Sequence, residues 1–368
     1  MDQSTRYVSW SEHIVMKKRM MIFPYGRETS PLPRYAECLA NHEISCLVVP
    51  SPLEMSRKDS YDYDGGTPIE LKMSNSFYDA LRESDTVFFT DELSNSTEIA
   101  EYIEKALSAD KEVLITQQLM GKLDISESLK NKLVVLGQMY STISVDLDLP
   151  LRKISIPVIA IMGQGNCCQK FDIQLGLRKA FQSGGYSVAQ IGTKNYSELF
   201  GFPSWPDSGD QSLTYKTVLY NRFISNYLKS SEFDVLILGV PGGIMPINRY
   251  NSERYGETAL AITAAAKPDV SIVCCYYLPL NEDYIQHIKS FCQYRFGTLD
   301  SYIHVSNTRL IKAGDGKRDL EYMTLDFRHV LRETLGYEGQ RFNVFDNDSA
   351  VRVYQEIIDE LLENIDII

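Results

Sequence analysis

The sequence predicts two α/β domains in tandem, each a doubly wound sheet of mostly parallel strands. Short apolar runs alternate with amphipathic stretches along most of the chain, the pattern of strand–helix–strand units. Several of those runs carry no polar alternation, as strands buried on both faces do not. The pattern breaks over 141–157, where STISVDLDLPLRKISIP carries Pro150 and Pro157 and holds no period. The break divides the chain into domains 19–148 and 152–368. A chain of 368 residues is long enough for two ordinary cores.

In the first domain, strands are expected at 20–25 (MMIFPY), 44–49 (ISCLVV), 86–90 (TVFFT), 112–116 (EVLIT) and 133–136 (LVVL). Helices are expected near 34–42, 76–84 and 96–108. Asn95, Ser96 and Thr97 supply an N-cap for the last of these, and Ile99, Tyr102, Ile103 and Leu107 form its apolar stripe. The polar segment 51–70, with Asp62, Asp64, Gly65 and Gly66, reads as a loop. The whole suggests a flavodoxin- or Rossmann-like sheet. In such a sheet PYGRETSPLPRY (24–35) leaves the first strand where an anion binds, with Gly26, Arg27, Arg34 and Tyr35. There is no GxGxxG, so a dinucleotide is not supported. Asp91 and Glu92 also follow a strand, either as crevice residues or as ordinary surface acids.

In the second domain, strands are expected at 157–162 (PVIAIM), 186–192 (YSVAQIG), 234–240 (DVLILGV) and 271–278 (SIVCCYYL), with a weaker one at 302–306 (YIHVS). Helices are expected near 168–183, 213–230, 256–267 and 283–296. A final helix from about 348 to 365 carries Tyr354, Ile357, Ile358, Leu361, Leu362 and Ile365 on one face. Docking onto the sheet is the first expectation for that stripe; a partner or homodimer surface is the alternative.

Composition narrows the function. With 49 acids against 37 bases the net charge is −12, which disfavours generic nucleic-acid binding. No run approaches a membrane span, and the N-terminal residues 1–18 have no apolar core of a secretory signal. The seven cysteines follow no framework spacing, so a reducing, cytoplasmic setting is expected. With five His and no CxxC, a zinc site is not expected.

The segment 157–181 carries the chemistry. An apolar strand runs into Gly163-Gln164-Gly165-Asn166-Cys167-Cys168-Gln169-Lys170-Phe171, and a helix follows. Strand, glycine loop, lysine and helix are the plan of a phosphate site, in which helix-terminal N–H groups point at the anion, glycines admit it and the lysine reaches the outer phosphates; the alternative is a strand–turn–helix junction with an ordinary surface lysine. Lys170 is the candidate catalytic residue. Gly163, Gly165, Asn166, Cys167, Cys168, Gln169, Lys170 and Phe171 are candidate phosphate-cradle residues, joined by Gly242 and Gly243 from DVLILGVPGGIMPIN. Both glycine segments fall at carboxyl ends of strands, where open α/β sheets bind ligands. Cys167 or Cys168, at a helix N-terminus, could hold a lowered pKa and serve as a nucleophile, carrier or redox sensor; the alternative is small residues filling a loop. Adjacent Cys274 and Cys275 must face opposite sides of their strand, and are expected in the core. Asn248, Arg249 and Arg254 could meet an anionic substrate or form a solvated loop.

The loop spacing departs from GxxxxGK[ST], since Lys170 follows Gly163 by seven positions. It resembles the loop of dethiobiotin synthetase and its P-loop relatives, G-T-D-x-x-x-G-K-T. The resemblance implies a P-loop NTPase-like fold for the second domain, with ATP or another nucleotide as ligand. In that alignment Gln169 replaces the second glycine and Phe171 the magnesium-binding Thr. Gly239 stands where the relatives carry a metal-holding acid. Asp172 is then the one nearby candidate metal ligand, and magnesium-assisted transfer loses its usual support.

Three longer segments, FPYGRETSPLPRY, MGQGNCCQKFDIQLGLRKAFQSGGYSVAQIGTKNYSELFGF and DVLILGVPGGIMPINRYNSERYGETA, resemble the clostridial-type peptide maturation system proteins. That resemblance implies work beside a radical S-adenosylmethionine enzyme and a Cys-rich precursor peptide of a ribosomal natural product. The expected function is thus a cytoplasmic accessory protein with a degenerate P-loop, an ATP-dependent ligase- or transferase-like enzyme among the readings. The alternative is a scaffold or peptide-binding module whose loop has decayed.

Overall fold

A computed structural model describes residues 16–49, 59, 61–92, 96–138, 143–278, 282–298, 300–311, 320–334 and 341–365. Residues 1–15, Asn95 and most of 50–60 lie outside it, so the N-terminal reading, the cap at Asn95 and much of the 51–70 loop are not described.

The first sheet contains β1 (Lys18–Phe23), β2 (His42–Val48), β3 (Met73–Ser74), β4 (Thr86–Phe89), β5 (Glu112–Thr116) and β6 (Val134–Leu136). All neighbours pair in parallel, in the order β3-β2-β1-β4-β5-β6. This is the Rossmann order, and it settles the flavodoxin alternative. Residues alternate between faces along each strand. Met21, Phe23, Val87 and Phe89 pack under the helices Phe77–Arg82 and Ser96–Ser108. The helix expected at 34–42 is instead a short turn of helix, Pro31–Arg34, then a 3-10 turn, Ala36–Cys38. Tyr35, at φ −120° and ψ 35°, leaves the helical region and separates the two.

The second sheet is built from β7 (Val158–Gly163), β8 (Val188–Ile191), β9 (Val235–Gly239), β10 (Val270–Cys275) and β11 (Asp300–Val305). After β11 the chain forms an antiparallel pair, β12 (Thr308–Ile311) and β13 (Glu321–Thr324), then returns as edge strand β14 (Arg341–Phe342). The sheet order is β14-β11-β10-β7-β9-β8, again parallel throughout. Helices Leu213–Tyr227, Glu257–Ala265 and Glu282–Phe296 cover one face. Helices Lys170–Ser183 and Asn347–Ile365 cover the other. Val353, Tyr354, Ile357, Ile358 and Leu361 are buried there, so most of the C-terminal stripe docks on its own sheet; Leu362 is exposed, and the Ile365 side chain lies outside the described residues.

The two sheets share a core. Met20, Ile22, Phe88 and Leu114 of the first pack against Phe171, Leu175, Tyr196, Phe200 and Phe202 of the second. The β12–β13 region clamps the outside. Arg27 donates to Thr324 Oγ1 (2.7 Å) and Tyr61 to Asp326 (2.7 Å), while the Phe327 N–H reaches Gly65 O (2.8 Å).

Candidate functional site

In each sheet the strand order reverses beside its first strand, and such a switch point opens a crevice at the carboxyl ends. The two crevices face each other across one cavity of about 610 Å³. The first sheet lines it with Arg27 to Pro31 after β1, Thr90 to Glu92 after β4, and Thr116 at the end of β5. The second lines it with Asn166 to Asp172, with Thr193 to Tyr196 after β8, and with Pro241 and Gly242 after β9. Asp91 and Glu92 are therefore crevice residues. Arg249 and Arg254 are not among the lining residues: Arg249 lies over the Tyr250 ring and Arg254 pairs with Asp210 at 2.7 Å.

The glycine loop is held at its edges and open in its middle. Gln164 N–H donates to Cys274 O (3.0 Å), Tyr276 Oη to Asn166 O (2.7 Å) and Thr308 Oγ1 to Cys167 O (2.6 Å). Among the described residues, the N–H groups of Gly165, Asn166, Cys167, Gln169, Lys170 and Phe171 meet no acceptor in the protein. Cys167 and Gln169 take left-handed φ values of 57° and 63°, alternating with neighbours of negative φ, as an anion-binding nest requires of every second residue. Glycine adopts such a φ at no steric cost, whereas a side chain there is strained. Here the side chain offsets the strain: its amide accepts from Asn307 N–H (2.9 Å) and donates to Asp64 O (3.3 Å). The Lys170 ammonium donates to Gly242 O, so the two glycine segments meet. Gly243 N–H is taken by Glu253 (2.7 Å) and is not open to a ligand. Glu253, Arg254 and Tyr255, at φ 46°, 46° and 54°, form a left-handed turn that carries this carboxylate.

The first crevice is occupied from within. Glu92 accepts from Glu28 N–H (2.7 Å), and its carboxylate fills the space beside Gly26. An anion expected near Gly26 would meet a negative charge there. Arg34 is spent on Asp64 (2.7 Å), both side chains being buried.

Phe171, expected in the cradle, has another role for its side chain. Its ring lies 5.6 Å from both Tyr196 and Phe200 and 6.1 Å from Phe202, inside the shared core. At Gly239 the space a side chain would need is filled by the Gln174 amide, which donates to Lys170 O (3.1 Å) and Thr193 Oγ1 (3.1 Å). Both positions implied for magnesium therefore do not fit it. Asp172 is buried beside Asp64 and Arg34, with Oδ1 unpartnered. Burial and then the Asp64 carboxylate push it up to about 7. Among the described residues no group of three or more His, Cys, Asp or Glu is placed to hold a metal ion.

The two loop cysteines differ. Cys167 donates to Glu28 Oε1 (2.9 Å), and burial together with that carboxylate pushes its thiol far up. Burial also pushes Cys168 up, but its hydrogen bond with Cys274 and the nearby Lys170 outweigh this and bring it to about 7. Lys194 was not legible as a site residue. It pairs with Glu28 across the cleft and, against burial, is the main cause holding that carboxyl at about 2.

No family model matches the chain, and no curated protein matches it. Among solved structures, a DUF1611 family protein from Anabaena variabilis superposes with a TM-score of 0.61 at 12% identity, over 92% of this chain and 100% of that one. At that identity the likeness fixes the fold: both sheets recur in one molecule. Cobyrinic acid a,c-diamide synthase from Mycobacterium smegmatis, with bound ADP and magnesium, aligns over 58% of this chain and 96% of that one, at 13% identity and a TM-score of 0.31. An ADP-bound nucleotide-binding protein from Archaeoglobus fulgidus aligns over 54% and 84%, at 15% identity and a TM-score of 0.30. Among the described residues, no helix is long and apolar enough to cross a membrane.

Proposed function

We propose that the chain binds a nucleotide or another phosphate ligand in the cleft between its sheets, without magnesium held in the usual way. One observation carries this reading: among the described residues, the N–H groups of Asn166, Cys167, Gln169, Lys170 and Phe171 are unpaired, and these five residues line the cavity beside the Lys170 ammonium, while Gly163 and Gly165 do not line it. Oriented N–H groups at a helix start, with one cation, favour a phosphate and stabilise charge on it. Lys170 would leave Gly242 O for the phosphate oxygens. Phe171 and Gln174 occupy the two magnesium positions, which favours binding over metal-assisted transfer. A scaffold role within the same cleft is the second reading, favoured by those two replacements.

The proposed setting is cytoplasmic maturation of a ribosomal peptide, beside a precursor peptide and a radical S-adenosylmethionine enzyme. The three resembling segments support that setting, and no nucleic acid or membrane enters it. The test is calorimetry with ATP and GTP, with and without magnesium, on wild type and Lys170→Ala. Saturable binding that is lost in the variant and indifferent to magnesium is the expected result. Absence of binding by either nucleotide at millimolar concentration overturns the phosphate reading, and a pull-down with precursor peptides then tests the scaffold.

A further inference from the structure

β7 and β10 are neighbours, and Gly163 at the end of β7 pairs with Cys274. Paired residues on adjacent parallel strands point to one face, with the backbones about 4.8 Å apart. That face carries Ile159, Ile161, Cys168 and Cys274 in one core cluster. Gly163 has no side chain there, and Cys168 takes the space: a Cβ built on Gly163 would lie 2.5 Å from Cys168 Sγ. The Cys168 sulfur thus lies against the residue paired with Cys274, close enough for each thiol to act on the other's ionisation, while the Cys168 S–H donates to Gly165 O (3.1 Å). Cys275 faces the opposite core, and Cys167 turns to Glu28. Cys168 also lines the cavity, with the Lys170 ammonium near enough to favour its thiolate.

We infer that Cys168 and Cys274 form a reversible disulfide that pins the glycine loop to β10, with hydrogen peroxide as the oxidant. The Cys168 thiolate attacks one peroxide oxygen, the O–O bond breaks and hydroxide leaves, giving a sulfenic acid. The Cys274 sulfur then attacks the Cys168 sulfur. The S–O bond breaks, and the hydroxyl departs with the Cys274 proton as water. Two thiols are oxidised to one disulfide, and one peroxide is reduced to two waters. The oxidant is close to water in size, as entry to a buried thiol at a cleft wall requires. A small-molecule dithiol reverses the bond by exchange. None of this depends on the cleft binding a nucleotide.

The test treats the reduced full-length chain with hydrogen peroxide, blocks free thiols and maps peptides without reduction. A Cys168–Cys274 cross-linked peptide, released by dithiothreitol and absent from Cys168→Ser and Cys274→Ser, is the expected result. Amide exchange over the loop 164–170 should slow by about tenfold or more on oxidation, because the link removes local opening. The wild-type map decides alone if a serine variant fails to fold. Two free thiols after treatment, sulfinic acid on Cys168 without a link, or a link between sequence neighbours overturns the pair. A Cys168–Cys274 link that leaves loop exchange unchanged overturns the pinning.

Discussion

The Lys170 ammonium donates to the main-chain carbonyl of Gly242, so the ends of β7 and β9 are joined at the floor of the cleft. These strands are direct neighbours, and each ends in one of the glycine segments. A phosphate that takes the lysine must replace its bond to Gly242 O, so this contact sets part of the cost of binding.

Replacing Lys170 by Met should therefore separate binding from folding. The unfolding free energy should fall by only about 1.5–3 kcal/mol, the net worth of one hydrogen bond from a charged group. Phosphate affinity should fall by about tenfold or more in titration calorimetry. A variant as unstable as a core deletion would instead make Lys170 a structural residue.

Phe171 tests how far the loop has been turned to packing. Its ring contacts Tyr196, Phe200 and Phe202 in the core shared by both sheets. Phe171→Ala should cost about 3–5 kcal/mol in denaturant unfolding, as buried phenyl deletions do. Phe171→Thr places a hydroxyl at this position but should be similarly destabilised. It should also gain no magnesium dependence, because Gln174 still fills the second position.

What the sequence reveals and what it hides follow from range. Val158 to Gly163 was legible as a strand because every residue is buried and apolar. Ser96–Ser108 was legible because its stripe repeats within one element. β3 and β14 are two-residue edges with no pattern to detect. The partners of Phe171 are more than twenty residues away along the chain, so only the fold shows that its ring leaves the cradle. Gln169 gives no sign of its left-handed backbone, which is fixed by distant Asn307 and Asp64. The loop, the lysine and the second glycine segment were local features. The facing crevice with Glu28 and Lys194 is a product of the two sheets together.

Gly239 and Gln174 should behave as one unit. A side chain at Gly239 would strike the Gln174 amide, which is fully buried and bonded to Lys170 O and Thr193. Gly239→Asp alone should destabilise by about 3 kcal/mol or more through overpacking and a buried charge. Combined with Gln174→Ala it should cost less than the sum of the two single changes, with a coupling of about 1 kcal/mol or more in a double-mutant cycle. Additive costs would show that the two side chains do not compete for the space.

Asp172 makes stability depend on pH in a direction opposite to that of a salt-bridged carboxylate. Burial and the Asp64 carboxylate raise it to about 7, while Arg34 and Lys194 oppose them. In the unfolded chain it ionises near the ordinary value of about 3.9. Between those values the folded chain holds one more proton than the unfolded chain, so the unfolding free energy falls as pH rises. Below that window both forms are protonated and nothing is lost; above it both are ionised and the whole cost stands. Asp172→Asn keeps the shape and removes the proton. Relative to wild type it should gain about 3 kcal/mol between pH 5 and pH 8 in urea unfolding, with the gain levelling off above pH 8. An identical pH slope in the two proteins would mean that Asp172 is already ionised in the folded chain, compensated by Arg34 and Lys194.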